Sequence, residues 1–313
     1  AVAPVAELIS LSGLAEGSHI INVIGIDDVG NVQTSATSFA WFVDSIGPSG
    51  TIVNASGNPT NDTTPTLNLT ITDSGVGTSG ALVRYSCDGV TFTDFESFSS
   101  VKDNFDLRSG FYGCADSDGT KGVFAEFKDS LENIGSGVTT GSFTLNTQAA
   151  LAQFTSTPSV LTNSTSADFT IGGTDITAYR YRLNGDSYSE EISVSTPVIL
   201  TGLSEGINTL YVIGKNSADT WQDEGAPTSF AWTVDVTAPV ITGLTDDITV
   251  AKTKTWSWES SDASATFRYV IDQNVSGVPA GAYDATQTAI LSSGDGTYYI
   301  HVQAMDSVGN ESA

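Results

Sequence analysis

Leu14 to Asp44 reads LAEGSHIINVIGIDDVGNVQTSATSFAWFVD. Gly17 turns the chain, and Ile21, Val23 and Gly25 then alternate with polar or outward positions. That two-residue period belongs to a half-buried strand. Asp27-Asp28-Val29-Gly30-Asn31 supplies turn chemistry. Phe39, Trp41 and Val43 alternate again as a returning strand, Asp44 closes it, and Gly47-Pro48 breaks the pattern.

The same arrangement recurs. Gly206 heads Leu210, Val212 and Gly214, followed by Phe230, Trp232, Val234 and Asp235 and the breaker Ala238-Pro239. Gly119 heads Val123, Ala125 and Phe127, followed by Phe143, Leu145 and Asn146. Gly296 heads Ile300, Val302 and Ala304, followed by Asp306 and Gly309-Asn310. The four glycines stand 102, 87 and 90 residues apart, and ten residues after each comes Asp27, Asp129, Asn216 or Asp306. A period near 90 to 100 in 313 residues makes about three domain equivalents, each large enough for its own core.

Thirty-one glycines, a single methionine and no window with helical spacing of apolar residues point to an all-β chain. The formal charge of −25, from 36 acidic and 11 basic residues, is spread along the sequence. It excludes nucleic acid, whose phosphates need Lys and Arg, and it disfavours anionic membrane surfaces. It suits a surface kept soluble by self-repulsion, or one that binds cations. No apolar run is long enough for membrane insertion. Ala1 to Ser12 lacks the basic start of a secretion signal, so the chain reads as a window on a longer protein.

Four segments follow from the repeat. Residues 1–46 hold only the closing strands of a first module, which needs strands from upstream or from another molecule. Residues 47–146 form a second module with an inserted stretch, Asp88 to Gly119. Residues 147–236 form a third, and residues 237–313 a fourth that lacks its last strand. The inward face of the penultimate strand is expected to comprise Ile21, Val23, Val123, Ala125, Phe127, Leu210, Val212, Ile300 and Val302. Arg84-Tyr85, Arg180-Tyr181 and Arg268-Tyr269 recur on a third strand, with Tyr expected to pack inward and Arg outward against carboxylates.

About seven short strands per module, with turns every 8 to 12 residues, indicate tandem immunoglobulin-like β-sandwich domains. The run Gly206 to Pro239, with Phe230-Ala231-Trp232-Thr233-Val234-Asp235, resembles the bacterial Ig-like tandem repeats of long secreted adhesins and cell-surface proteins. The turn Asp306-Ser307-Val308-Gly309-Asn310 belongs to the same pattern. The resemblance covers essentially the whole chain and implies a structural module with an extracellular or cell-surface setting. The insertion, and Leu145-Asn146-Thr147 where other modules have Val-Asp, depart from it.

Chemistry is sparse. His19 and His301 fall in different modules, which leaves little for a Ser-His-Asp or zinc site, so no enzyme is expected. Cys87 and Cys114, an isolated pair in a Ser/Thr-rich chain, read as a disulfide. In an Ig-like sandwich the linker and two loops meet at one pole. Asp44, Asp73 and Asp129 then converge at the junction into the second module, and Asp235, Asp262 and Asp306 at the junction into the fourth. Oxygen ligands from separate loops suit calcium, although Asp also serves turn geometry alone. The junction into the third module carries Asn146, Asp175 and Asn216 at the matching places, with two amides instead of carboxylates. Asn54, Asn61, Asn68, Asn163, Asn274 and Asn310 lie in N-glycosylation sequons.

Three readings follow. One is a non-enzymatic structural spacer in the tandem stalk of a long, adhesin-like microbial surface or secreted protein. Another is a subunit of an extracellular filament or sheath, whose incomplete end modules are completed by neighbouring identical chains. The third is an accessory carbohydrate-binding module of a secreted enzyme, with Trp221 or Tyr188 stacking on surface glycans.

Overall fold

Alternation of apolar and polar residues, cut by Gly, Pro and Asp, produces strands and almost nothing else. The computed structural model describes Pro4, residues 6–135 and residues 139–313. Among these residues the one helical element is a 3₁₀ turn at Gly110–Tyr112. The chain divides into two units, Ala1–Gln148 with Ser217–Thr220, and Ala149–Asn216 with Trp221–Ala313.

The first unit opens on an antiparallel hairpin of β1 (Gly17–Val23) and β2 (Thr37–Val43). A sandwich follows, built from β3 (Ser49–Asn54), β4 (Leu67–Thr72), β5 (Leu82–Ser86), β6 (Glu96–Ser97), β7 (Val101–Lys102), β8 (Gly119–Lys128) and β9 (Thr139–Leu145). One sheet runs β3-β4-β7 and the other β6-β5-β8-β9. Leu67 and Leu69 on one inner face meet Val83, Tyr85, Val123, Ala125 and Phe127 on the other, all buried. The insertion is part of this core, because Phe105 and Leu107 have no exposed surface.

The second unit contains a complete sandwich and an open one. The complete one comprises β10 (Gln153–Ser156), β11 (Leu161–Thr162), β12 (Ala167–Gly172), β13 (Ala178–Leu183), β14 (Ile192–Ser193), β15 (Val198–Leu200), β16 (Gly206–Lys215) and β17 (Thr228–Val234). A sheet of order β10-β12-β15 packs on one of order β11-β17-β16-β13-β14. This two-sheet order, with β11 parallel to β17, is an immunoglobulin-like sandwich. The open one comprises β18 (Ile241–Thr242), β19 (Lys254–Ser257), β20 (Glu259–Ser260), β21 (Thr266–Asp272), β22 (Thr288–Leu291) and β23 (Tyr299–Met305). Its strands pair two by two, as β18-β20, β19-β22 and β21-β23. Its core is correspondingly small, with Trp258, Ala265, Phe267, Ala289 and Ala304 buried.

One register repeats across the closing hairpins. Gly17 faces Val43, Gly119 faces Leu145 and Gly206 faces Val234. The expected inward face holds in the sandwiches, where Val123, Ala125, Phe127, Leu210 and Val212 are buried. Ile300 and Val302 are partly buried against the fourth core, and Ile21 is half-buried. Val23 is a correction: it is 45% exposed, because among the described residues β1 pairs with β2 alone and no second sheet covers it. The Arg-Tyr reading also needs correction. Tyr85 is buried and Arg84 pairs with Glu126, as expected. Arg180 instead lies 4.6 Å over the Trp221 ring. Tyr269 is 38% exposed, although its ring still meets Trp258 at 5.5 Å.

Candidate functional site

The site is built where the linker after β2 passes two turns of the next sandwich. Asp44 follows β2, Asp73 follows β4 and Asp129 follows β8. One carboxylate oxygen from each lies within 4.8 Å of the other two. Asp129 is buried and organises its own turn. Its Oδ1 accepts from the N–H groups of Leu131 (2.8 Å) and Asn133 (2.9 Å), and its Oδ2 from Asn133 Nδ2 (2.8 Å). Asp44 Oδ2 accepts from Val76 N–H (2.8 Å), and Asp73 Oδ1 from Gly75 N–H (3.1 Å). Asp73 Oδ2 is buried and takes no hydrogen bond. Among the described residues no Lys or Arg forms an ion pair with any of the three.

Glycines make this approach possible. A Cβ at Gly75 would stand 2.0 Å from Asp44 Oδ2. A Cβ at Gly135 would stand 1.9 Å from Pro48 O, and one at Gly47 would stand 2.2 Å from the Ile134 carbonyl carbon. Linker and turn therefore lie backbone against backbone. Hard oxygen donors from three chain segments, one of them a buried oxygen without a partner, fit a Ca²⁺ ion.

The fourth module repeats part of this arrangement. Asn310 Nδ2 donates to Asp235 O (2.8 Å) and Asp306 Oδ2 (2.7 Å), just as Asn133 Nδ2 donates to Asp44 O (3.1 Å). The carboxylates of Asp235, Asp262 and Asp306 are not gathered in the same way. Asp235 caps the Thr237 N–H, and Asp262 caps Ser264 through its N–H and hydroxyl. The asparagine clasp is thus common to both junctions and the carboxylate triad belongs to one. Sequence reading missed the clasp, although the Asp-x-x-x-Asn spacing of Asp27/Asn31, Asp129/Asn133 and Asp306/Asn310 signals it.

Burial acts to raise the Asp306 carboxyl. The hydrogen bonds from Asn310, Val308 and Gly309 outweigh it and hold the group below the ordinary carboxylate range. A depressed folded-state value means that the contribution is present above the unfolded value and is lost as pH falls through the folded one. Hydrogen-exchange protection of β23 is therefore expected to be level near neutrality and to drop below about pH 4. Asp306→Asn should lower protection at pH 6 and flatten that acid-dependent drop. An unchanged acid profile would contradict the assignment.

Cys87 and Cys114 are joined by a disulfide. His19 Nε2 bonds Ala15 O (2.7 Å), and its ring stacks on Trp41. His301 Nε2 bonds Asn274 O (2.8 Å). Trp221 and Tyr188 are both half-buried, and Arg180 and Arg182 lie over their rings, so the flat faces a sugar would stack on are partly covered. Among the described residues no helix is long and apolar enough to cross a membrane.

The chain matches no protein-family model and no curated protein. Solved structures do resemble it. A solved chain from work on host cell surface retention of a 1.5-MDa bacterial ice-binding adhesin is 18% identical, with 86% of this chain and 95% of that solved chain covered and a TM-score of 0.48. The three N-terminal domains of the bacteriophage RB49 highly immunogenic outer capsid protein are 11% identical, with 82% and 91% covered and a TM-score of 0.41. A tetra-tandem repeat from the extending region of a large adhesion protein is 16% identical, with 97% and 81% covered and a TM-score of 0.32. Likeness this distant carries no functional assignment.

Proposed function

We propose that this chain is a non-enzymatic structural spacer: part of the stalk of a long extracellular or cell-surface protein of the adhesin kind. One observation carries the reading. The turn after the penultimate strand in the second and fourth modules grips the preceding linker through an asparagine side chain, Asn133 on Asp44 and Asn310 on Asp235. A device that fixes these two modules to the chain before them serves reach and stiffness, and it offers nothing to a substrate. The high negative charge suits a solvated extracellular rod.

Calcium belongs to the same reading at one junction. Asp44, Asp73 and Asp129 would supply three carboxylate ligands, and the ion would relieve their mutual repulsion. The test is limited proteolysis and thermal unfolding of the full chain with calcium or with chelator. Calcium is expected to protect Ser45–Pro48 and to raise the unfolding midpoint of the second module. At a hundredfold excess over Kd, linkage gives about 2.7 kcal/mol. Asp73→Asn should remove most of that response while the fourth module stays unchanged. Equal cleavage and equal midpoints with and without the ion would leave these aspartates as turn residues.

A further inference from the structure

The second, third and fourth modules each place an arginine at one position of the same sheet. Arg84 on β5, Arg180 on β13 and Arg268 on β21 stand opposite Glu126, Ile213 and Gln303 of the neighbouring strand. Each guanidinium also lies over an aromatic ring. Arg84 is 4.8 Å from Phe92 and from Phe95, Arg180 4.6 Å from Trp221 and Arg268 4.6 Å from Tyr283. Two of the three have an oxygen to hold. Arg84 Nε donates to Glu126 (2.7 Å), and Arg268 donates through Nε and an Nη to Gln303 (2.9 and 2.6 Å). Opposite Arg180 stands Ile213, an aliphatic side chain that accepts nothing. Arg180 Nε is buried and makes no hydrogen bond.

Arg182, two residues on, shares this outer face of β13. It rests on Tyr211 at 4.1 Å and Tyr188 at 5.5 Å, and it donates to Asn184 O (2.6 Å). Among the described residues no carboxylate pairs with Arg180 or Arg182, whereas Arg84, Arg108 and Arg268 each have one. In a chain of 36 acidic and 11 basic residues that is an exception. The Tyr188 hydroxyl beside them is also buried without a partner.

An unmatched polar group shielded from water is costly, more so when it is charged. A guanidinium fork fits the two oxygens of a carboxylate, and a phenol suits a neutral hydroxyl. Strand geometry sets the two arginines about 7 Å apart, within reach of one sugar unit. We propose that the outer face of β13 binds a uronic-acid sugar, its carboxylate on Arg180 and its ring hydroxyls on Arg182 and Tyr188. The cations already cover the aromatic rings, so recognition runs through charge and hydrogen bonds instead of stacking. The chain's negative charge opposes a long polyanion, but at physiological salt a Debye length of about 8 Å confines that repulsion. A short acidic oligosaccharide is therefore the ligand class. This gives the spacer a hold on acidic glycans at one module, because the matching arginines of the second and fourth are occupied.

The test is trigalacturonate added to the full chain with ¹⁵N-labelled indoles, whose five tryptophans give five signals. The Trp221 signal is expected to move, and to respond at least tenfold more weakly to neutral galactotriose and to acetate. Arg180→Gln should abolish the shift and Tyr188→Phe weaken it severalfold, with the Trp232 signal unmoved because the core is untouched. A still Trp221 signal overturns the proposal. So does an equal response to galactotriose, or to acetate, which would make the site one for any small anion. A Trp221 signal that moves with protein concentration alone overturns it too, since a carboxylate of a second copy then fills the site. A full response from Tyr188→Phe also overturns it, whatever Arg180→Gln does to the fold.

Discussion

Trp232→Ala is expected to destabilise the third module by about 3–5 kcal/mol, the range for truncating a buried tryptophan. Trp232 is 1% exposed and meets Phe169 edge-on at 5.2 Å. It sits on β17, the strand that joins β11 to β16, so the void opens where the two sheets meet. Its indole N–H is buried without a partner. Trp232→Phe therefore relieves an unpaired donor while keeping a ring, and it should cost well under the alanine change. Trp41 occupies the same place in a near-identical heptapeptide, Thr37–Val43 against Thr228–Val234, but among the described residues its ring partners are His19 and Phe39. Trp41→Ala should shift stability by about 0.5 kcal/mol or less, as surface substitutions do. Chemical denaturation followed by the fluorescence of Trp221 checks the two changes at Trp232, and amide exchange of β1 checks Trp41→Ala, which removes the one tryptophan of residues 1–146. Equal costs at positions 41 and 232 would show that local sequence, rather than the opposing sheet, sets the energy.

That contrast shows what the sequence made legible. Two-residue alternation, turn residues and the spacing of Gly17, Gly119, Gly206 and Gly296 are local signals, and they gave the all-β class, the repeat and the shared hairpin register. The meeting of Asp44, Asp73 and Asp129 was legible too, because Ig-like topology brings those loops to one pole. The difference at Asp235, Asp262 and Asp306 was not. It depends on whether a carboxylate turns toward its neighbours or caps a nearby N–H, as Asp235 does with Thr237 and Asp262 with Ser264. Energies of a few kcal/mol decide that choice, and residue type alone does not report them. Exposure of Val23 and Tyr269 was hidden for a related reason. Parity tells which face a residue takes, and only the opposing sheet decides whether that face is covered.

Cutting the Cys87–Cys114 disulfide is the second large effect. The bond spans 27 residues, and the chain-entropy relation gives about 3.5 kcal/mol for a loop of that size. What the loop carries adds to the consequence. Phe105 and Leu107 are fully buried, Tyr112 stacks on Phe105 at 4.3 Å, and Lys121 reaches back to Ala115 O from a buried position. Arg108 ties the same stretch to Asp118 and Thr147. The insertion is thus a third wall of the second core, and releasing one end lets water reach β5 and β8. Reduction, or paired Cys87→Ser and Cys114→Ser changes, should lower the free energy of β8 amide exchange by about 2–5 kcal/mol. Residues 47–146 contain no tryptophan, whereas Trp232 and Trp258 report on the third and fourth modules. Fluorescence unfolding should therefore stay in place while β8 protection collapses. A loss below about 1 kcal/mol at β8 would mean that the buried contacts of Phe105 and Leu107 already hold the loop, since each buried aromatic or leucine side chain is worth roughly 1.5–3 kcal/mol.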